Sequence, residues 1–308
     1  MSCRVLPHKA LRFCTAGAIV VRLATAQSAA PAPSELLERA NADYRSLHFA
    51  EAARLYREYL TCYPDRADVR VYLGACLLNL NQLPQAREEA QTAMWKEPRY
   101  AKAHTLLGRI YATKQSWTLA EQEFRQAIDL DPKDLDAWYF SGKACYSMSQ
   151  FETAVTSFRE ALRLGATQSR VYDGLGLAYD ALGQYDEAEA GYQRAVELSH
   201  GEYSPYFDYG VFLFRQGRTE KSVFMLERAF QIEPDAANVR FEFARALYHA
   251  GNLDEALGVL EQTPASKECR VHNLLARIWA LKGNNEAARR ERDYLTTCVS
   301  TESGPSAK

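Results

Sequence analysis

Between Leu107 and Pro132 the apolar residues fall into two stripes set against polar faces. Leu107, Ile110 and Tyr111 lie on one stripe, and Leu119, Ala120, Phe124, Ala127 and Ile128 on the other. Their i, i+3, i+4 intervals predict two amphipathic helices. The polar run Thr113 to Thr118 separates them. Asp131-Pro132 ends the second helix, because proline has no N–H to continue the ladder and clashes with the preceding turn. The stretch therefore predicts a helical hairpin.

The same pattern returns at a period of 34 residues. Gly74, Gly108, Gly142, Gly176 and Gly210 fall on it, and Ala244 continues it. A second small-residue column holds Ala86, Ala120, Ala154, Ala188, Ser222 and Ala256. A bulky column follows with Ala90, Phe124, Phe158, Tyr192, Leu226 and Leu260, then a third small column with Ala93, Ala127, Ala161, Ala195 and Ala229. Pro98, Pro132 and Pro234 close three of the units. A repeat of this length predicts hairpins stacked in an array, each burying its apolar face against its neighbours. Glycine or alanine lets the two helices of a hairpin approach closely, and the bulky residue fills the space between them.

On these columns the chain resembles the tetratricopeptide repeat family, best in 101–134 and in 135–168, which carries Trp138, Gly142, Ala154, Phe158 and Ala161. The resemblance implies an all-α, right-handed α-solenoid. Eight units are expected, at 33–66, 67–100, 101–134, 135–168, 169–202, 203–236, 237–268 and 269–302. The first is recognised by Ala40, Ala52, Tyr56 and Pro64. Units four and five lack the closing proline, having Ala166 and His200 there, so Gly165 and the Ser199-His200-Gly201 turn are the expected stops. Arg292 takes the bulky position of the last unit, which reads as a polar C-terminal cap, and 303–308 reads as a disordered tail.

The N-terminus changes the picture. Arg4, His8, Lys9 and Arg12 precede the apolar run Phe13 to Val21, no acidic residue occurs before Glu35, and Ala24-Thr25-Ala26 has the form of a cleavage site. Residues 1–26 read as a secretory signal peptide, with 27–32 a linker, and imply export to a periplasm or the outside. A mitochondrial transit peptide or a cytoplasmic location are the alternatives. Removal of this segment leaves 33 basic against 39 acidic residues, a mildly acidic chain of net charge −6 that argues against nucleic acid as a partner. No apolar run is long enough to span a membrane. Five cysteines remain, with neither zinc nor haem spacing. Cys269 and Cys298 open and end the last unit, where an antiparallel hairpin would bring them together as a possible disulfide.

Catalytic chemistry is not legible. GxxxxGK[ST], HExxH and GxSxG are all missing, and GLGLAY at 174–179 lacks the third glycine of a dinucleotide fingerprint. His104 and His272 sit where the family often has tryptophan, and none of His48, His104, His200, His249 and His272 has a His or Cys ligand partner at i+3 or i+4. The expectation is a non-enzyme with no cofactor, no metal and no small-molecule substrate.

What the family resemblance does imply is a concave groove faced by unit positions 2, 5, 9, 12 and 13. In this chain those positions hold nine basic residues, Arg45, Lys102, Arg109, Lys143, Arg170, Arg215, Arg245, Arg270 and Arg277, against Asp68, Asp136, Asp173 and Asp180. Tyr139 with Tyr146, Phe207 with Phe214, and Phe241 with Tyr248 are spaced i, i+7 and so share a face. Arginine and aromatic side chains are frequent anchors of protein interfaces. The expected partner is thus a protein or peptide presenting an acidic or amphipathic segment to Lys102, Arg109, Tyr139, Lys143, Tyr146, Arg170, Phe207, Phe214, Phe241, Arg245, Tyr248 and Arg277. Only Asn41 matches the two-carboxylate clamp by which some members capture a peptide's terminal carboxylate, so that mode is not expected. The alternative is a structural subunit of an envelope or organellar complex, docking by its outer helix faces.

Overall fold

The structure, a computed structural model, describes residues 33–261 and 268–302, with side chains as far as Leu295. Segments 1–26, 27–32 and 303–308 and the Cys298 side chain, and with them the expected signal peptide, linker, tail and disulfide, lie outside the described residues. The described residues form sixteen helices and no strand. They are α1 (Pro33–Arg45), α2 (Phe49–Cys62), α3 (Ala67–Asn79), α4 (Leu83–Lys96), α5 (Ala101–Thr113), α6 (Trp117–Leu130), α7 (Leu135–Ser147), α8 (Phe151–Arg163), α9 (Ser169–Ala181), α10 (Tyr185–Glu197), α11 (Ser204–Arg215), α12 (Thr219–Ile232), α13 (Ala237–His249), α14 (Leu253–Glu261), α15 (Cys269–Leu281) and α16 (Asn285–Glu302). Consecutive pairs make an all-α array of tandem helical repeats.

The chain forms two compact units, one ending at Phe140 and the other starting at Ser141. In the first, α1 pairs with α2, α3 with α4 and α5 with α6; α2 packs on α3, α4 packs on α5, and α3 touches α5 directly. In the second, α9 pairs with α10, α11 with α12, α13 with α14 and α15 with α16. There the first helices α9, α11, α13 and α15 touch in succession and form one wall.

The repeat columns do what their sizes suggest. A methyl group placed on Gly108 would come within 2.5 Å of the Phe124 ring, and one on Gly176 within 2.7 Å of Tyr192. Phe124, Phe158, Tyr192 and Leu226 are almost fully buried, as are the alanines on either side of them. Ser222, the polar exception in its column, is wholly buried and donates its hydroxyl to the Gly210 carbonyl at 2.8 Å, so a buried hydroxyl is satisfied rather than stranded.

The turn inside each hairpin has one form throughout. Residue 47, 81, 115, 149, 183, 217, 251 or 283 has positive φ, and the N–H of the next residue bonds back to a carbonyl five positions earlier, as Gln82 N–H to Leu77 O at 2.8 Å. This is the Schellman closure of a helix C-terminus. Glycine fills the left-handed position in the last four hairpins, whereas Leu47, Asn81, Gln115 and Ser149 fill it in the first four.

Candidate partner-binding faces

First helices supply the candidate groove residues, because positions 2, 5, 9, 12 and 13 lie along one side of each. In the first unit this side holds a cleft of about 240 Å³ lined by Tyr44, Tyr72, Tyr100, Lys102, Thr105, Arg109, Asp134 and Asp136. Thr105 donates its hydroxyl to Asp134 at 3.0 Å, and the same carboxylate accepts the Asp136 N–H at 3.1 Å, capping α7. Arg109 lies 5.0 Å over the Phe140 ring. Burial raises the Tyr44 phenol above its ordinary value, opposed by the Arg109 charge. Lys102 is exposed, and neither it nor Arg109 forms an ion pair among the described residues. Tyr139, by contrast, is buried and packs edge-on against Phe140 at 5.0 Å, so it belongs to the wall behind this face.

In the second unit the aromatic and arginine residues interleave. Arg245 lies 4.5 Å over Phe214, Arg277 lies 4.8 Å over Tyr248, and Arg270 lies 4.6 Å over Phe241. Each guanidinium comes from one hairpin and each ring from the hairpin before it, in a repeating cation–π register. Phe241 is buried and so belongs to the core rather than to an open face, whereas Phe207, Phe214 and Tyr248 are half-buried against that core and stay partly accessible. Tyr146 is half-buried and packs 5.5 Å from Phe151.

The structure sorts the cations into committed and uncommitted groups. Arg245 pairs with Glu242 at 2.5 Å, Arg270 with Glu268 at 2.6 Å, and Arg215 with Asp180. Arg170 is also engaged. Lys143 and Arg277 are exposed and make no ion pair among the described residues. Lys143 is exposed, and neighbouring groups displace part of its hydration. That desolvation, with the nearby Arg170 charge, lowers its ammonium below the lysine range against the pull of Asp173.

Two acidic features of this wall were not read from the sequence. Glu242 is half-buried, and burial raises its carboxyl even with Arg245 and Arg270 beside it. Asp173 on α9 is only 7% exposed and faces Asp208 on α11; Ser204 Oγ lies 3.3 Å from one carboxylate and 3.2 Å from the other. The signal was an offset of 35 residues, which also joins Asp180 to Arg215 and Phe214 to His249. One residue more than the period carries a first-helix position onto the facing position of the next hairpin. His104 and His272, read as packing residues, each bring Nδ1 to a glutamate on the second helix of the same hairpin, Glu123 at 2.8 Å and Glu291 at 2.6 Å. Arg70 makes the equivalent bond to Glu89 at 2.7 Å.

Comparison with known proteins fits this architecture. No curated protein matches the chain in sequence. A chain of the APC/C hetero-tetramer Cut9-Hcn1 superposes with TM-score 0.68 at 17% identity, covering 85% of this chain and 52% of that one. This chain thus spans about half the length of that relative. PilF of Pseudomonas aeruginosa superposes with TM-score 0.58 at 19% identity, covering 74% and 96%. At these identities the likeness is one of fold. Sequence models described as tetratricopeptide repeat match residues 48–110, 106–169, 169–201 and 213–278. With most of its length matched and the hairpins built on the same columns, the chain belongs to the tetratricopeptide repeat family.

Proposed function

We propose that this protein is a non-enzymatic protein-interaction scaffold whose first-helix faces hold an acidic or amphipathic segment of a partner. The carrying observation is the tyrosine-lined cleft with Lys102 and Arg109, two cations without an ion-paired carboxylate among the described residues. An acidic side chain seated there would exchange water for charge-assisted hydrogen bonds. Lys143 and Arg277 extend the same chemistry along the second unit's wall, while Arg245 and Arg270 hold rings and local carboxylates in place. Export through cleavage after Ala26 accompanies this reading, and the N-terminal sequence of the secreted chain tests it.

A second reading, docking by the outer helices as an assembly subunit, is favoured by one observation. A cleft of about 560 Å³ between α10, α11 and α12 is floored by Val196, Leu213 and Met225, and Phe224 beside it is 53% exposed. The Cut9-Hcn1 relative is itself a component of a hetero-tetramer. Affinity capture with crosslink mapping would identify the partner and the face it touches. The groove reading expects Lys102→Glu with Arg109→Glu to weaken that complex by more than about tenfold and flatten its salt dependence, with Phe224→Ala neutral. The reverse pattern would establish the outer face.

A further inference from the structure

We infer that the Asp173–Asp208 pair is a subsite for one cationic group, an ammonium or guanidinium, carried by the segment bound on this wall. The inference rests on the groove reading for its ligand but on separate residues for its chemistry. The two carboxylates project from the first helices of consecutive hairpins and meet at a single hydroxyl, Ser204 Oγ. A hydroxyl has one hydrogen, so it serves one carboxylate at a time. Asp173 Oδ1 is buried and has no donor among the described residues apart from a proton that it can share with Asp208. The Tyr192 hydroxyl, fully buried on α10 and within reach of the charges of Asp180, Asp208 and Asp173, also has no partner among the described residues. Two carboxylates that share one hydroxyl and must take up a proton to face each other, beside a buried phenol without a partner, mark the place of a missing polar group.

The neighbouring cations do not fill that place. Arg215 is committed to Asp180, Arg170 is engaged, and Lys143 on α7 makes no ion pair among the described residues. Ser204 is exposed and Asp208 half-buried, so the pair is open to solvent on the α11 side. No group of three or more His, Cys, Asp or Glu residues able to hold a metal occurs among the described residues, and a hydrogen-bonding cation matches two carboxylates better. Without a ligand, the carboxyls hold a proton between them. Burial first, then the Asp208 charge, pushes Asp173 up to about 8, and burial raises Asp208 as well. Tyr146, Asp180, Arg215 and Glu202 complete the titratable and charged surroundings. Entry of a cation releases the shared proton to solvent and leaves both carboxylates ionised around it.

The test is a carboxyl-carbon NMR titration of the full chain with methylguanidinium chloride, against sodium chloride at equal ionic strength. Methylguanidinium should lower the pair's upper titration step by about one unit, a tenfold preference for the doubly ionised form. Sodium should leave that step in place. The shift should vanish in Asp208→Asn and persist in Ser204→Ala, which keeps both carboxylates should the first variant fail to fold. Equal shifts with both salts, no shift with either, or a shift retained in Asp208→Asn would overturn the inference. Charge reversal at Lys102 and Arg109 leaves this measurement unchanged, so the subsite and the acidic-segment reading can fail separately.

Discussion

At the scale of single residues, the hairpin turns show a conformational requirement met in two ways. The left-handed position is glycine in four hairpins and Leu47, Asn81, Gln115 or Ser149 in the others. A side chain in that region crowds its own carbonyl and costs on the order of 1 kcal/mol. Gln115 has φ of 57° and is exposed, so Gln115→Gly should raise stability by about 1 kcal/mol in urea unfolding. The packing glycines behave oppositely. A methyl group at Gly176 would press on Tyr192, which is wholly buried between its neighbours and cannot swing aside. Gly176→Ala should destabilise by about 1–3 kcal/mol in the same measurement. Of these two glycine columns, the packing column was visible in the sequence as the one that starts the period. The turn column was equally periodic in Gly183, Gly217 and Gly251, but non-glycine residues in the first four hairpins concealed it.

Helix pairs are the scale at which charge acquires meaning. Asp173 and Asp208 face each other between α9 and α11, and both carboxyls are raised above the ordinary aspartate range by burial. A raised acid favours folding most below its unfolded value near 4, and that contribution is lost as pH rises through the folded value. Here the folded value for Asp173 is about 8, so stability should decline from mildly acidic pH to pH near 9. Asp208→Asn removes the like charge and should flatten that decline, gaining on the order of 2 kcal/mol at the alkaline end. Thermal unfolding across that range checks it, and a parallel fall in both proteins would place the cause elsewhere. The same scale explains why a basic ladder counted along the sequence is not a ladder of free cations. Arg215, Arg245 and Arg270 spend their charge on Asp180, Glu242 and Glu268, two of which lie outside the positions that the family pattern counts.

For the molecule as a whole, the repeated contacts make stability a sum over neighbours within each unit. Phe212 is buried in the second unit and touches the rings of Tyr185, Tyr192 and Tyr209 in and around its own hairpin. Phe212→Ala should cost about 3–5 kcal/mol locally. Hydrogen exchange should then accelerate most in α10, α11 and α12 and least in α15 and α16. Uniform acceleration would show that the unit opens all at once. The sequence by itself determined the hairpins, their period and the residues that lock each pair, because those contacts are local and recur at a fixed interval that an apolar pattern records. It also marked which first-helix positions carry arginine and aromatic groups. Only the tertiary structure decided which of those charges are free, which rings are wall, and that two aspartates meet over one hydroxyl. Those outcomes depend on contacts between successive hairpins, where burial and the partner across the interface set both charge and exposure.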